Sequence, residues 1–178
     1  MQLPVGSLLV SHPKFAQHDV RGTVVYITES SARSTMGITL NRRPHPLTMR
    51  DLMKGQNTDW PWDQDVWQGG DLNPQALVML HTNEWYSSNT MQAGAGIAMS
   101  SDYTMVDKLE MGNNPDWFRL FLGCHGWEPL DLARECRSQK PKWLVLDKPS
   151  WNTITSDPGK LWHVALTECS QKTFDNYI

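Results

Sequence analysis

Short apolar runs alternate with polar connectors along the chain, and the runs set the expected elements. Leu8-Leu9-Val10, within residues 6–11, predicts a strand that ends at His12-Pro13, because proline cannot donate to a ladder. Residues 23–28, Thr-Val-Val-Tyr-Ile-Thr, are β-branched or aromatic throughout. Their near-continuous apolar character predicts a strand covered on both faces. Residues 36–40 read as its partner, and the polar connector 30–35 is short enough for an antiparallel hairpin. Further strands are expected over 64–68, 76–81, 97–99, 117–122 and 143–146.

Helical spacing appears in between. Thr48 is placed to cap a short helix over 49–54 with Leu52 and Met53 inward. Ser100 or Ser101 is read as the cap of the next helix, with Asp102 in its first turn and Met105, Val106 and Leu109 on one side. Gly123-Cys124-His125-Gly126 reads as a tight turn into a helix over 129–138, where Leu132 and Cys136 share a face. Asp157-Pro158 is a helix start, with an apolar stripe of Leu161, Trp162, Ala165 and Leu166. Residues 83–89 are expected as a surface loop and 171–178 as a frayed tail. Strands outnumber the scattered helices, which gives an α+β class with a mixed, mainly antiparallel sheet that curls.

Length and composition narrow the picture. A chain of 178 residues is expected to form a single domain, 1–178. It has no run of about 18 apolar residues, so no membrane-spanning helix is expected. Met1-Gln2-Leu3-Pro4 lacks a cationic start before an apolar stretch, so no secretory signal peptide is expected. The net charge of −3 argues against a general nucleic-acid coat, although local basic segments exist at Arg42, Arg43, His45, Arg50 and at Arg134, Arg137, Lys140, Lys142. Three cysteines without a CxxC pair read as reduced thiols in a cytoplasmic protein. The nine tryptophans serve packing or a partner-facing patch.

Few residues carry recognisable chemistry. Cys124, His125, Cys136, His163 and Cys169 do not fall at standard zinc spacings, so no metal is expected. There is no nucleophile elbow, no Walker lysine and no third glycine after Gly94-Ala95-Gly96. Asp63 with Asp65, and Asp102 with Asp107, are not spaced for acid–base work. Cys124 is first a packing residue. Its expected place before a helix also admits a thiol nucleophile, with His81 or His125 as base.

Several segments in order resemble a known family. Residues 22–27 followed by Met36-Gly37-Ile38-Thr39-Leu40-Asn41-Arg42 resemble its "GTV…(A/M)G(L/I)…NRP" opening. The helix started by Thr48 resembles its next element, and Ser101-Asp102 the start of a later helix. Gln68-Gly69-Gly70 with Leu80-His81 resembles its "GGP…LH" pair, and Leu122-Gly123-Cys124-His125-Gly126-Trp127, with Leu132 and Glu135, its "LGYAGW…L…E" element. Trp143, Asp147 and the run 161–166 are similar to its tail. The chain is thereby identified as a member of the AlgH/YqgE family of small bacterial proteins over about 6–169. This chain departs from the pattern at Asp71, at Cys124-His125 and in a "NRP" loop lengthened to Asn41-Arg42-Arg43-Pro44.

The resemblance implies an α+β domain with a bifurcated sheet curled into a pseudo-barrel and flanked by helices. It implies no established enzyme activity, no cofactor and no agreed catalytic set. One family name carries a role as transcriptional regulator in alginate synthesis. The expectation is therefore a non-enzymatic binding or regulatory module with a protein or nucleic-acid partner. A small hydrolase or thiol enzyme using Cys124 is the alternative. The expected contact surface is Asn41, Arg42, Arg43, Gly69, Gly70, His81, His125 and Trp127, which are polar, glycine or aromatic residues at element boundaries.

Overall fold

The computed structural model describes residues 3–54, 60 and 63–175. Residues 55–62, which the sequence reads as polar and irregular, lie outside the described residues except for Trp60, as do 176–178 of the expected tail. In chain order the elements are β1 (Leu8–Ser11), β2 (Val24–Ser30), β3 (Thr35–Thr39), α1 (Met49–Met53), β4 (Val66–Gln68), β5 (Leu72–Thr82), β6 (Met91–Gln92) and β7 (Ile97–Ser100). There follow α2 (Tyr103–Glu110), β8 (Phe118–Trp127), α3 (Pro129–Arg137), β9 (Trp143–Leu146), α4 (Trp151–Ile154) and α5 (Pro158–Asp175). They form two compact units, one made of Met1–Arg42 with His125–Ile178, the other of Arg43–Cys124. We call them the split unit and the inserted unit.

In the split unit the hydrogen-bonded order is β9-β1-β2-β3, all antiparallel, with the last three residues of β8 antiparallel to β3. β2 is buried from Val24 through Ile27, as its unbroken apolar run predicts. Leu9, Val25, Ile27, Leu132 and Trp143 form a core with the half-buried Trp127 and Cys136 packed against it. Leu132 and Cys136 thus share the inward face of α3 as expected.

In the inserted unit β5 pairs antiparallel with both β7 and β8, β6 adds to β7, and β4 runs parallel to β8. The strand β8 therefore forks: residues 120–122 lie between β4 and β5, and residues 125–127 pair with β3. The core holds Met49, Met53, Val66, Met79, Trp85, Met105, Leu109 and Leu120.

The structure corrects five local readings. Residues 123–126 are not a turn but the interior of β8. Gly123 takes a left-handed φ of +74°, and the carbonyl oxygen of Gly70 crowds the place a Cβ would take, so the glycine serves a close backbone approach. Asp102 is the N-cap of α2 itself, because its Oδ1 accepts the Met105 amide at 2.7 Å. Trp85 is buried, since its Nε1 donates to Asn113 at 3.1 Å and its edge meets His81. In α1 the buried residues are Met49 and Met53, while Leu52 is half-buried. Residues 171–175 are helical, held where Lys172 Nζ donates to the Asp147 and Lys148 carbonyls. The sequence reading also missed α4, capped by Ser150, and the two-residue β6.

Candidate functional site

The eight residues of the expected surface divide between the units. In the split unit, Asn41 is a strand clamp: its Oδ1 accepts the Val24 amide and its Nδ2 donates to the Gly22 carbonyl, each at 2.8 Å. His125 and Trp127 lie two apart on β8, so their rings share a face and tilt together with centroids 5.6 Å apart. His125 Nε2 is 2.8 Å from Thr39 Oγ1. Glu135 Oε2 accepts both the Trp127 and Trp143 indole protons, at 3.3 and 2.7 Å, and Lys142 pairs with Oε1. Arg42 is half-buried.

In the inserted unit, Arg43 is exposed and its carbonyl accepts the Gln68 amide, which sets it beside the buried Gly69-Gly70 pair. Gly69 in turn donates to the Leu122 carbonyl at 2.8 Å. These three residues are brought together. His81 is not with them: it stands opposite Phe118, four positions along β8 from Leu122, or about 13 Å at ~3.3 Å per residue.

His81 is fully buried. Its Nδ1 donates to the Thr82 carbonyl at 2.9 Å, so in the neutral ring Nε2 accepts from Ser100 Oγ at 2.8 Å. Thr90 Oγ1 continues the chain at 2.7 Å from Ser100 Oγ. Burial lowers the His81 pKa below 6.5. The serine–histidine spacing is that of a nucleophile and base, but Ser100 is only 1% exposed, and its hydroxyl is taken up by His81 and Thr90.

The thiol chemistry lacks its geometry. Cys124 lies inside β8, five residues before α3, and burial raises its pKa instead of a helix N-terminus lowering it. His81 is displaced from it by six positions along β8, about 20 Å. His125, its neighbour on an extended strand, projects to the opposite face. Burial also pushes Cys136 and Cys169 up to about 11. Among the described residues no three His, Cys, Asp or Glu side chains are grouped to hold a metal ion, and no helix is long and apolar enough to cross a membrane.

What the sequence reading did not single out is a groove in the inserted unit. It has a cavity volume of about 600 Å³ and is lined by Met49, Leu52 and Met53 of α1, Met105 and Val106 of α2, and Leu122 of β8. Helix α1 is held by Asp51, whose Oδ2 accepts from the Thr48 amide and hydroxyl. Helix α2 is held by Asp102. Burial works against its charge, but bonds from Ser87, the Met105 amide and the Asn89 amide outweigh that and keep its pKa low. Of the polar residues that also line the groove, Asp102 and Ser101 are spent on the fold, the Ser101 hydroxyl donating to the Leu77 carbonyl, while Gln75 is exposed beside the apolar walls. The signal for it was present as Met49, Leu52, Met53 and Met105, Val106, Leu109 at helical spacing. Seven of the nine methionines fall between Arg43 and Cys124.

Comparison with known proteins agrees with this architecture. A UPF0301 protein of Marinomonas sp. (strain MWYL1) is 29% identical over 78% of this chain and 74% of its own length. One from Bacteroides fragilis is 26% identical over 94% and 83%. The solution structure of the AlgH protein from Pseudomonas aeruginosa superimposes with a TM-score of 0.66 at 22% identity, covering 94% of this chain and 85% of that one. A crystal structure of a protein from Corynebacterium diphtheriae gives 0.67 at 25% identity, over 89% and 84%. These carry the fold, an α+β arrangement with a mainly antiparallel sheet flanked by helices. The AlgH-like family model matches residues 8–173, and the chain belongs to the AlgH-like family.

Proposed function

We propose that this AlgH-like chain is a non-enzymatic binding module that acts on a protein partner, as a regulator would. The observation that carries the reading is the open, methionine-lined groove between α1 and α2. Its volume lies in the range of ligand pockets, and thioether side chains repack around varied apolar partners. The free thiols of Cys124, Cys136 and Cys169 support a reducing, cytoplasmic setting. Arg43 beside Gly69-Gly70, and the His125–Trp127 pair, are proposed as further contacts in their respective units.

The test is NMR of protein labelled with ¹³C at the methionine methyls, titrated with the neutral apolar dye Nile red. Shifts at Met49, Met53 and Met105, lost in Leu52→Lys, are expected. Shifts confined to other methionines would remove the groove from the reading. Ester hydrolysis abolished by Cys124→Ser would overturn the non-enzymatic reading itself.

A further inference from the structure

The two units differ in charge. Residues 43–124 carry ten acidic against five basic side chains, and the remainder carries nine against eleven. The apolar groove therefore lies in the acidic unit. The cations on and around its two helices are engaged internally. Lys54 pairs with Asp51 at 2.6 Å. Lys108 donates to the Tyr86 carbonyl at 2.6 Å and lies 4.4 Å from the Tyr86 ring centre. Arg50 Nε donates to the Trp60 carbonyl at 3.4 Å.

The acids on α2 are placed differently. Asp107 stands one turn from Tyr103, and Glu110 one turn from Val106, both groove-lining residues. Neither is ion-paired among the described residues. The groove thus has largely apolar walls, and α2 carries two acids without ion pairs one turn beyond its lining residues Tyr103 and Val106. That pattern repels a phosphate backbone and suits an apolar helix face flanked by lysine or arginine.

From this charge complementarity we propose that the α1–α2 groove docks a basic amphipathic helical segment of a partner protein. Apolar side chains at i, i+3, i+4 and i+7 enter between Leu52 and Val106, and flanking cations meet Asp107 and Glu110. The proposal rests on the binding-module reading above and names the partner's chemistry.

The test is fluorescence anisotropy with the full chain and a labelled peptide of leucine and lysine in amphipathic helical order. Controls are a leucine–glutamate peptide of the same order and a labelled single-stranded oligonucleotide. The leucine–lysine peptide is expected to bind, and to weaken roughly tenfold in Asp107→Lys/Glu110→Lys. It is also expected to weaken as salt rises from about 0.05 to about 0.5 M. Leu52→Lys should abolish binding, and the double variant, at the exposed Asp107 and half-buried Glu110, covers the case in which Leu52→Lys fails to fold. Equal binding of the acidic peptide would overturn the basic partner while leaving the binding module standing. Loss of every peptide together with Nile red would overturn both. Preference for the oligonucleotide, or a dimer in sedimentation that the Leu52→Lys change breaks, would assign the groove to another occupant.

Discussion

The split unit and the inserted unit solve the same packing problem with different materials. In the split unit, polar side chains fix the elements: Glu135 ties Trp127, Trp143 and Lys142, Glu168 ties Ser150, Thr153 and Lys172, and Trp162 Nε1 reaches the Ser11 carbonyl. Each such bond fixes one geometry, and an orphaned partner is costly. In the inserted unit, pliable methionines fill the space between short helices and the sheet, and one side stays open. The difference teaches where to look for binding. Side chains locked in directional bonds are poor at accommodating a guest, while the thioether side chains between the capped helices α1 and α2 can adapt to one.

The sharpest way to break that contrast is through the glycines that each unit depends on. Gly123→Ala in the inserted unit must strain a φ of +74° and drive its Cβ against two backbone carbonyls, those of Gly70 and Leu72. A loss of about 3 kcal/mol or more is expected in urea unfolding. Gly37→Ala in the split unit meets first a side chain, Val25 Cγ1 at 2.7 Å, then the Tyr26 carbonyl at 3.0 Å. About 2 kcal/mol is expected there. If the two losses come in the reverse order, the close approach at Gly70 is not the stricter constraint.

Next in size is the Glu135 clamp. Glu135→Ala orphans two indole donors and should cost about 2 kcal/mol, while Glu135→Gln keeps an acceptor and should recover about half. Equal losses in the two variants would show that charge, not acceptance, holds the tryptophans.

Both units hold groups with lowered pKa values, so both respond to acid. Burial holds the His81 pKa low, so the unfolded chain takes up a proton that the folded chain refuses. Stability is therefore full above the ordinary value of 6.5 and falls as pH drops below it, by at most ~1.4 kcal/mol per pH unit. His81→Gln should flatten the unfolding free energy between pH 6.5 and 5. Glu84, Asp102 and Glu168 have lowered pKa values and act further down. Their contribution is present above the carboxylate range and lost as pH falls through the folded values. The smallest change is expected at the exposed Asp131–Arg134 pair, where Asp131→Asn should shift stability by only a few tenths of a kcal/mol.

Much of the fold was legible from local pattern. Trp143–Leu146 and the start of α5 at Pro158 fall where the sequence places them, because an apolar run and an Asp-Pro start are decided by near neighbours. What was not legible depended on distant partners. Two glycines around Cys124-His125 look like a turn until the Gly70 carbonyl, some fifty residues away, fills the space beside Gly123. Trp85 looks like a loop residue until Asn113 accepts its proton. The expected surface was partly opaque for the same reason. The sequence presents His81 as a polar residue ending an apolar strand, and only the pairing with Ser100 and Thr82 shows that both its nitrogens face inward. The groove was visible as two methionine-bearing helical patterns, but nothing local said that they face a common space.

The hydrogen bonds of Arg43 and Gly69 carry a consequence for how the chain becomes ordered. Arg43, the first residue of the inserted unit, bonds Gln68, and the next residue, Gly69, bonds Leu122, two positions before the unit ends at Cys124. The inserted unit therefore brings its own two ends together. Pairing Gly37 with His125 in an unfolded chain would mean closing a loop that contains the whole of residues 43–124. Loop closure grows dearer only by about 0.6 kcal/mol for each doubling of length, but it comes before any long-range contact can repay it. Folding of the continuous segment first removes that cost, and the two halves of the split unit then meet across a short tether instead of a long loop.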